Sequence, residues 1–152
     1  MQRMTTQELV DAGTLDLGTT DWVLVDQARV DGFAEVTEDR QWIHVDPERA
    51  RTGPFGTTIA HGYLTLSMVS PFLLDLVVVT DATSAINYGL GRVRFPAPVP
   101  VGSRIRGHGL LVDATPIDAG TQTTIRMTIE CDACSKPAAV ADVLTRFLRT
   151  SA

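Results

Sequence analysis

One uncharged stretch constrains the fold of this chain more than any other feature. Between Ala60 and Leu74 the sequence contains no Asp, Glu, Lys or Arg, and apolar residues fall on every side of a helical wheel. A helix that is apolar all round cannot lie on a surface and has to be surrounded. The stretch therefore predicts a buried central helix. Thr57 or Thr58 is its expected N-cap, and Pro71 is expected to kink it or to mark its last turns.

The second half of the chain has the pattern of an antiparallel sheet. Four segments alternate apolar and polar residues with a period of two, and clusters of Pro, Gly and Asp separate them. These segments are 84–95, 103–113, 121–131 and 138–149. A sheet with one apolar face can curl around a single helix. We therefore expect an α+β fold, a curled antiparallel sheet wrapped around one long central apolar helix, as a single domain over residues 1–152.

Shorter helices are expected ahead of the central one. Residues 5–12 and 27–36 have apolar residues at helical spacing. A third helix is expected to begin at Pro47, because Asp46 is a good N-cap and Pro is favoured at the first helical position. Residues 37–46, between the second and third of these helices, are expected to form a turn and loop.

Composition excludes several classes of protein. The formal net charge of −5 argues against nucleic acid as the main partner, because phosphate binding requires a basic face. The N-terminus lacks the apolar core of a signal peptide, and the run 59–74 is shorter than a membrane span. We therefore expect a cytoplasmic protein with no membrane partner. Cys131 and Cys134 form one C-x-x-C, which is too few ligands for zinc, and we expect them to stay reduced.

Groups that can transfer protons lie just before the central helix. Asp39 and His44 are separated by four residues, so that one turn of a loop can bring both side chains to one point. Burial at that point would raise the pKa of a carboxylate and lower the pKa of an imidazole, which would keep both near the working pH. The alternatives are that Asp39 is a turn or capping residue and that His44 is a hydrogen-bonded loop histidine. Asp39, His44 and Asp46 could also bind a metal, but Asp46 fits better as a helix cap, and we expect no metal site.

With these residues in view, the chain resembles the MaoC-like, (R)-specific enoyl-CoA hydratases of the hot-dog fold, and within them a nodulation-protein-N-like subgroup. The resemblance covers most of residues 20–149 and rests on three motifs. The motifs are Asp39-Arg-Gln-Trp-Ile-His44-Val-Asp46-Pro47, then Gly53-Pro54-Phe55-Gly56 followed by His61-Gly62, then Arg92-Val-Arg94-Phe95 with Pro98-Val99 and Gly102. The resemblance therefore implies a hot-dog fold.

The resemblance also implies an activity, the reversible addition of water to trans-2-enoyl-CoA to give (R)-3-hydroxyacyl-CoA. It assigns the proton transfers to Asp39 and His44, and contact with the thioester carbonyl to the backbone N–H of Gly62. It gives Ser67 a hydrogen bond within the active site. From the residues alone, Gly62 could instead be needed only for close packing, and the Ser67 hydroxyl could bond back to the carbonyl of Tyr63. No cofactor is implied, because coenzyme A is part of the substrate.

Partners follow from the same resemblance. The family pairs two domains edge to edge into one continuous sheet, so we expect a homodimer that binds a small acyl-CoA substrate. Four arginines alternate along two predicted strands and could bind the coenzyme A phosphates, or could form an ordinary solvated face. They are Arg92, Arg94, Arg104 and Arg106. Four aromatic residues are candidates for the wall of an acyl pocket. They are Trp42, Phe55, Tyr63 and Phe72.

Two other functions remain open for such a chain. A hot-dog acyl-CoA thioesterase usually carries an acidic residue on its central helix, and residues 60–74 have none. A non-catalytic acyl-thioester-binding subunit would typically lack the dyad, whereas Asp39 and His44 are both present. We expect His61 to orient the neighbouring loop and His108, in a predicted strand, to be structural.

Overall fold

The computed structural model describes residues 1–149. The strands in this part of the chain are β1 (Gln2–Met4), β2 (Leu15–Thr19), β3 (Val23–Leu24), β4 (Val77–Val79), β5 (Ser84–Arg94), β6 (Arg104–Ile117), β7 (Gly120–Cys131) and β8 (Ala139–Leu148). The helices are α1 (Thr6–Ala12), α2 (Gln27–Thr37), α3 (Trp42–Val45), α4 (Pro47–Ala50), α5 (Gly62–Ser67) and α6 (Val69–Leu76). None of the helices within residues 1–149 is long and apolar enough to cross a membrane.

The main sheet is antiparallel and has the strand order β2-β6-β7-β8-β5, with the short β3 also paired to β6. A separate parallel pair joins β1 to β4. The four long strands confirm the alternation seen in the sequence. Strand β6 runs further than expected, because Pro116 and Ile117 continue the pairing with β7 up to a tight turn. Strand β2 was not expected, because a bulge between Asp16 and Gly18 breaks its alternation.

The central helices α5 and α6 lie on the concave face of the sheet. The inward-facing residues Leu111, Ile125 and Met127 are fully buried there. Two glycines of β6 allow this close approach. A Cβ atom added at Gly107 would come within 2.8 Å of the Phe72 ring, and one at Gly109 would come equally close to Leu76.

The central helix consists of two segments rather than one. The break falls at Met68, three residues before Pro71, because proline has no N–H to donate to the carbonyl of Ser67. The helix is thus interrupted one turn before Pro71. The expected N-cap is wrong, since the first segment begins at Gly62 with His61 as its N-cap. The Thr58 hydroxyl donates elsewhere and does not cap this helix.

One side of the central helices remains uncovered in the single chain. Residues 63, 67, 70 and 74, which lie along one stripe, are exposed. Tyr63 is 71% exposed and Leu74 is 65% exposed. The expectation that the helix is fully surrounded is therefore only partly met within one chain, because the sheet covers one side of it and β5 ends the sheet there.

The shorter helices follow the sequence closely. Thr5 caps α1 through a capping box with Glu8, and α2 begins at the expected residue. Asp46 caps α4 by accepting a hydrogen bond from the Arg49 N–H. The loop expected over 37–46 instead contains the single turn of α3, whose N-terminus has no side-chain cap.

Candidate active site

A tight turn after α2 presents Asp39. Glu38 ends that helix in the left-handed conformation, with φ 63° and ψ 8°, and is the only non-glycine residue with positive φ within residues 1–149. Such a conformation costs an ordinary residue about 1–2 kcal/mol. The reversal leaves the Asp39 side chain exposed, with one carboxylate oxygen 3.4 Å from the Gln41 N–H. That long contact is the turn-type hydrogen bond considered as the alternative for Asp39, and it is too weak to occupy the carboxylate.

One strong hydrogen bond to the backbone holds the His44 ring. Its side chain is buried on α3, and its Nδ1 atom lies 2.7 Å from the carbonyl oxygen of Ile59. A carbonyl oxygen can only accept, so Nδ1 carries the hydrogen. The neutral ring therefore has its lone pair on Nε2. The Ile59 N–H in turn donates to the Ile43 carbonyl at 3.0 Å, which fixes the two segments to each other.

The surroundings of His44 favour this neutral form. Burial lowers the pKa of His44 below its ordinary value, and the nearby His61 lowers it further. The Ile59 carbonyl and the Asp39 carboxylate act in the opposite direction but do not cancel the lowering. A neutral imidazole with a free Nε2 atom is the form that can accept a proton.

His61 ties the Asp39 turn to the central helix. Its ring stacks on His44 with centroids 3.8 Å apart and planes 25° apart, and it packs against Phe33 at 5.0 Å. Its Nε2–H donates to the backbone carbonyl of Asp39 at 2.9 Å. This contact matches the loop-orienting role expected for His61. Its Nδ1 atom is buried and has no hydrogen-bond partner within residues 1–149.

The side chains of Asp39, His44 and His61 form one cluster. One ligand atom from each lies within 4.8 Å of the others. Among residues 1–149, no direct hydrogen bond links the Asp39 carboxylate to His44, and a separation within 4.8 Å is one that a single water molecule can span. The same atoms could approach a metal ion, with His61 in place of the Asp46 considered from the sequence. Asp46 is occupied as the α4 cap.

The half-buried side-chain amide of Gln27 supports the His44 backbone. The Gln27 side chain donates to the His44 carbonyl at 2.8 Å and accepts from the Thr58 hydroxyl at 2.6 Å. Thr58 is 2% exposed, and it is adjacent to Ile59, the residue that orients the His44 ring. Sequence reasoning missed Gln27, because a glutamine at the start of an amphipathic helix gives no signal of its own.

Gly62 opens α5 beside this cluster. The N–H groups of the first helical turn have no intrahelical acceptor and carry the positive end of the helix dipole. A Cβ atom added at Gly62 would meet the Phe95 ring at 3.4 Å, which is an ordinary contact. Packing within this chain therefore does not by itself require glycine, and the lack of a side chain leaves the backbone open to a ligand.

Ser67 is not joined to the cluster. Its hydroxyl donates to the Tyr63 carbonyl at 2.7 Å, as in the alternative considered from the sequence. It lines a cavity of about 470 Å³ between the central helices and strands β5 and β8, with Leu66, Ser70 and Leu90. Sequence spacing alone could not tell whether Ser67 joins the cluster or lines this cavity, because both lie along the exposed side of the same helix.

The other sequence candidates lie away from the cluster. Phe72 is buried in the core against Gly107, and Trp42 packs on Gly53 and lies 4.4 Å from the Arg49 guanidinium, so neither lines that cavity. Cys131 and Cys134 are free thiols, and burial, with a hydrogen bond to Cys131, raises the pKa of Cys134 to about 12. His108 contacts Asp16 across β2 and β6 at 3.0 Å, a structural contact.

Comparisons with known proteins agree on one relationship. The family model described as MaoC like domain matches residues 13–132. The chain is 48% identical to 3-hydroxyacyl-thioester dehydratase Z of Mycobacterium tuberculosis over 142 residues, which cover 93% of this chain and 94% of that protein. It is 44% identical to nodulation protein N of Rhizobium leguminosarum bv. viciae, over 86% of this chain and 83% of that protein. The solved structure of the (R)-hydratase from A. caviae involved in PHA biosynthesis superposes with a TM-score of 0.70 at 25% identity, covering 88% of this chain and 97% of that one.

The Gln27 bridge generates a stability prediction. Replacing Gln27 with Met keeps the length of the side chain but leaves the Thr58 hydroxyl and the His44 carbonyl without their partner. We expect the free energy of unfolding, measured with urea, to fall by about 2–4 kcal/mol, since each buried unsatisfied polar group costs about 1–3 kcal/mol.

Gln7→Met is the matched control. Gln7 makes the same four-residue helical contact, to Asp11 at 2.9 Å, as Gln27 makes to Asp31 at 2.7 Å, but it has no buried partner. The control should lose no more than about 0.5 kcal/mol. Equal losses in the two variants would show that the buried bridge contributes nothing.

Proposed function

Because the chain belongs to the MaoC-like dehydratase family, we propose that it adds water reversibly to trans-2-enoyl-CoA to give (R)-3-hydroxyacyl-CoA. It has the hot-dog fold and is an enzyme of the hydratase and dehydratase class. The observation that carries the specific proposal is the cluster of Asp39 and His44 at the first turn of the central helix, with a neutral imidazole in the correct tautomer.

In the proposed hydration, one water molecule sits between the Asp39 carboxylate and Nε2 of His44. The carboxylate accepts one hydrogen of this water and orients it. His44 takes the other proton through Nε2 while the oxygen attacks C3 of the enoyl thioester. The resulting imidazolium then returns that proton to C2. The sum of these steps is the addition of one water molecule, and dehydration follows the same steps in reverse.

Attack at C3 places negative charge on the thioester oxygen. We assign stabilisation of this charge to the backbone N–H of Gly62, which is free of intrahelical bonds and sits at the positive end of α5. Its position immediately after His61, the N-cap residue that stacks on His44, supports the assignment.

The cavity between the central helices and β5 supports a site for the acyl chain. It has a volume of about 470 Å³ and is lined mainly by apolar atoms, with Leu66, Val69 and Leu90 among its walls. Ser67 acquires a role in this cavity rather than in proton transfer, because its hydroxyl is already bonded to the Tyr63 carbonyl.

A homodimer fits the uncovered surfaces of the chain. Within residues 1–149, strand β5 lies at the end of the sheet and pairs only with β8, so that its other edge presents backbone groups without a strand partner. The exposed helix stripe that contains Tyr63 and Leu74 lies over the same side of the sheet, and Leu90 of β5 is 47% exposed. A second copy paired edge to edge by β5 would cover all of these groups.

A cytoplasmic location is consistent with the two free thiols of the chain. Cys131 and Cys134 are free thiols, and thiols stay reduced in the cytosol. We therefore propose a cytoplasmic location, without cofactor or metal.

The thioesterase alternative has one further observation to consider. The central helix extends two residues beyond the uncharged stretch and includes Asp75. This carboxylate is exposed and occupies the last turn of α6, whereas Asp39 and His44 cluster at the first turn of α5. We therefore favour hydration over thioester hydrolysis.

Replacing either member of the dyad tests the mechanism. Asp39→Asn and His44→Gln should each lower the rate of crotonyl-CoA hydration by about 10²–10⁴-fold, the usual contribution of general acid–base catalysis. Loss of the enoyl-thioester absorbance measures hydration, and a free-thiol assay detects hydrolysis.

Asp46→Asn is the matched control, because Asp46 caps α4 two residues after His44 and should keep most of the activity. A rate close to wild type in either dyad variant would remove the assigned roles. Release of thiol by the wild-type protein would favour the thioesterase.

Replacing Leu74 tests the dimer. Leu74 is 65% exposed in the single chain, so Leu74→Arg should leave the fold intact but weaken association at micromolar concentration, as measured by sedimentation velocity. Leu24→Arg is the control, because Leu24 is 49% exposed near the opposite edge of the sheet. A monomeric wild-type protein, or a dimer unaffected by Leu74→Arg, would contradict the proposed interface. Association only with a different homologous chain would replace the homodimer by a heterodimer.

A further inference from the structure

We infer that a pocket formed by Arg92, Arg94 and Arg126 on the convex face of the sheet binds the 3′-phosphorylated nucleotide of coenzyme A. The inference rests on the proposed function, because it assigns a place to the part of the same substrate that is remote from the reacting atoms. The pocket has a volume of about 280 Å³ and is also lined by Val140 and Asp142.

The four arginines of β5 and β6 differ in whether a carboxylate pairs with them. Arg104 forms an ion pair with Asp132 at 2.8 Å, and Arg106 forms one with Glu130 at 2.7 Å. Arg106 also lies 4.5 Å from the ring of Trp22. The charges of these two arginines are therefore compensated, and we assign them no ligand.

Arg92 and Arg94 differ from Arg104 and Arg106 in the partners of their guanidinium groups. Among residues 1–149, neither forms an ion pair, and both are exposed at the end of β5. The one hydrogen bond that the Arg94 guanidinium makes to a described residue goes to the adjacent carbonyl of Val93. A register shift between Leu90 and Val93 lies beside them, where the β-bulge turns the strand.

Arg126 completes the pocket and is itself fixed. Its guanidinium makes two hydrogen bonds to the Asp142 carboxylate, at 2.7 and 3.1 Å, so it is held rigidly in place. With three guanidinium groups and one carboxylate, the pocket has a formal net charge of +2. This is a local excess of positive charge on a chain whose net charge is −5.

A pocket of this charge and size suits a small phosphorylated group. Guanidinium groups bind phosphate oxygens through paired N–H donors, and the two arginines without carboxylate partners keep their donors available. The nucleotide of coenzyme A carries a 3′-phosphate and a diphosphate, which match two adjacent free guanidinium groups. A concave pocket favours such a small molecule over the broad acidic surface of a carrier protein.

The position of the pocket relative to the proposed active site supports the same ligand. Arg94 directly precedes Phe95, and the Phe95 ring lies against Gly62, the residue proposed to contact the thioester oxygen. A substrate whose thioester lies at Gly62 can therefore extend its pantetheine arm past Phe95 and around the end of β5 to the convex face.

The experiment compares two substrates in an otherwise identical assay. Crotonyl-CoA carries the nucleotide, whereas crotonyl-N-acetylcysteamine carries the same reacting thioester without it. In the double variant Arg92→Gln/Arg94→Gln, we expect KM for crotonyl-CoA to rise by at least roughly tenfold. The preference for crotonyl-CoA over the truncated thioester, taken as the ratio of their kcat/KM values, should fall by the same factor.

Arg104→Gln/Arg106→Gln is the matched control, because it removes the same number of positive charges from the other pair. This control should leave the preference ratio within about twofold of the wild type, since its charges are compensated by Asp132 and Glu130. Calorimetry with adenosine 3′,5′-bisphosphate measures the nucleotide site without any turnover. Its affinity should fall in the Arg92/Arg94 variant and persist in the control.

Each other outcome has a distinct meaning. An unchanged preference ratio in the Arg92/Arg94 variant, or an equal fall in the control, would overturn the inference. A raised KM for a crotonyl-carrier protein without a raised KM for crotonyl-CoA would also overturn it, and would indicate a carrier-protein surface. Wild-type protein that hydrates neither thioester but binds the bisphosphate would contradict the proposed function and leave the nucleotide pocket standing.

Discussion

The hydrogen bond from Nδ1 of His44 to the Ile59 carbonyl is the interaction on which the rest of the site depends. It sets the tautomer of the imidazole, and it exists only because two loop segments are held side by side. The Ile59 N–H joins the two segments directly by donating to the Ile43 carbonyl, and the Gln27 side chain joins them again by bonding both the Thr58 hydroxyl and the His44 carbonyl. Burial at this point lowers the pKa of His44. The chemistry at Nε2 is thus a consequence of backbone geometry on the opposite side of the ring.

Close packing between the central helices and the sheet determines both the core and the surface that stays exposed. Gly107 and Gly109 let the central helices approach β6 more closely than any side chain there would permit. The sheet can follow the helices on one side only, so that Tyr63 and Leu74 stay exposed beside the free edge of β5. The surface that a partner would cover and the acyl-sized cavity therefore lie together. Substrate binding and association between copies are consequently expected to influence each other.

Much of the architecture could be predicted from the sequence, because periodicity and capping are local signals. The alternation in the four long strands and the Asp46-Pro47 helix start both report their structure directly. The start of the central helix could not be read in this way, since Thr58 is a good cap by type but donates to Gln27 instead. The roles of Gln27 and Ile59, and the division of the four arginines into two pairs, depend on contacts between residues distant in sequence. No local pattern encodes such contacts.

The most direct test of the central claim is the protonation state of the His44 ring, measured by the ¹⁵N chemical shifts of its imidazole nitrogens as a function of pH. We predict a neutral ring with the hydrogen on Nδ1 and a bare Nε2 at neutral pH. Because the pKa of His44 lies below the ordinary value of 6.5, this form should persist as the pH falls below that value. A hydrogen on Nε2 of the neutral ring, or an imidazolium at neutral pH, would contradict the account.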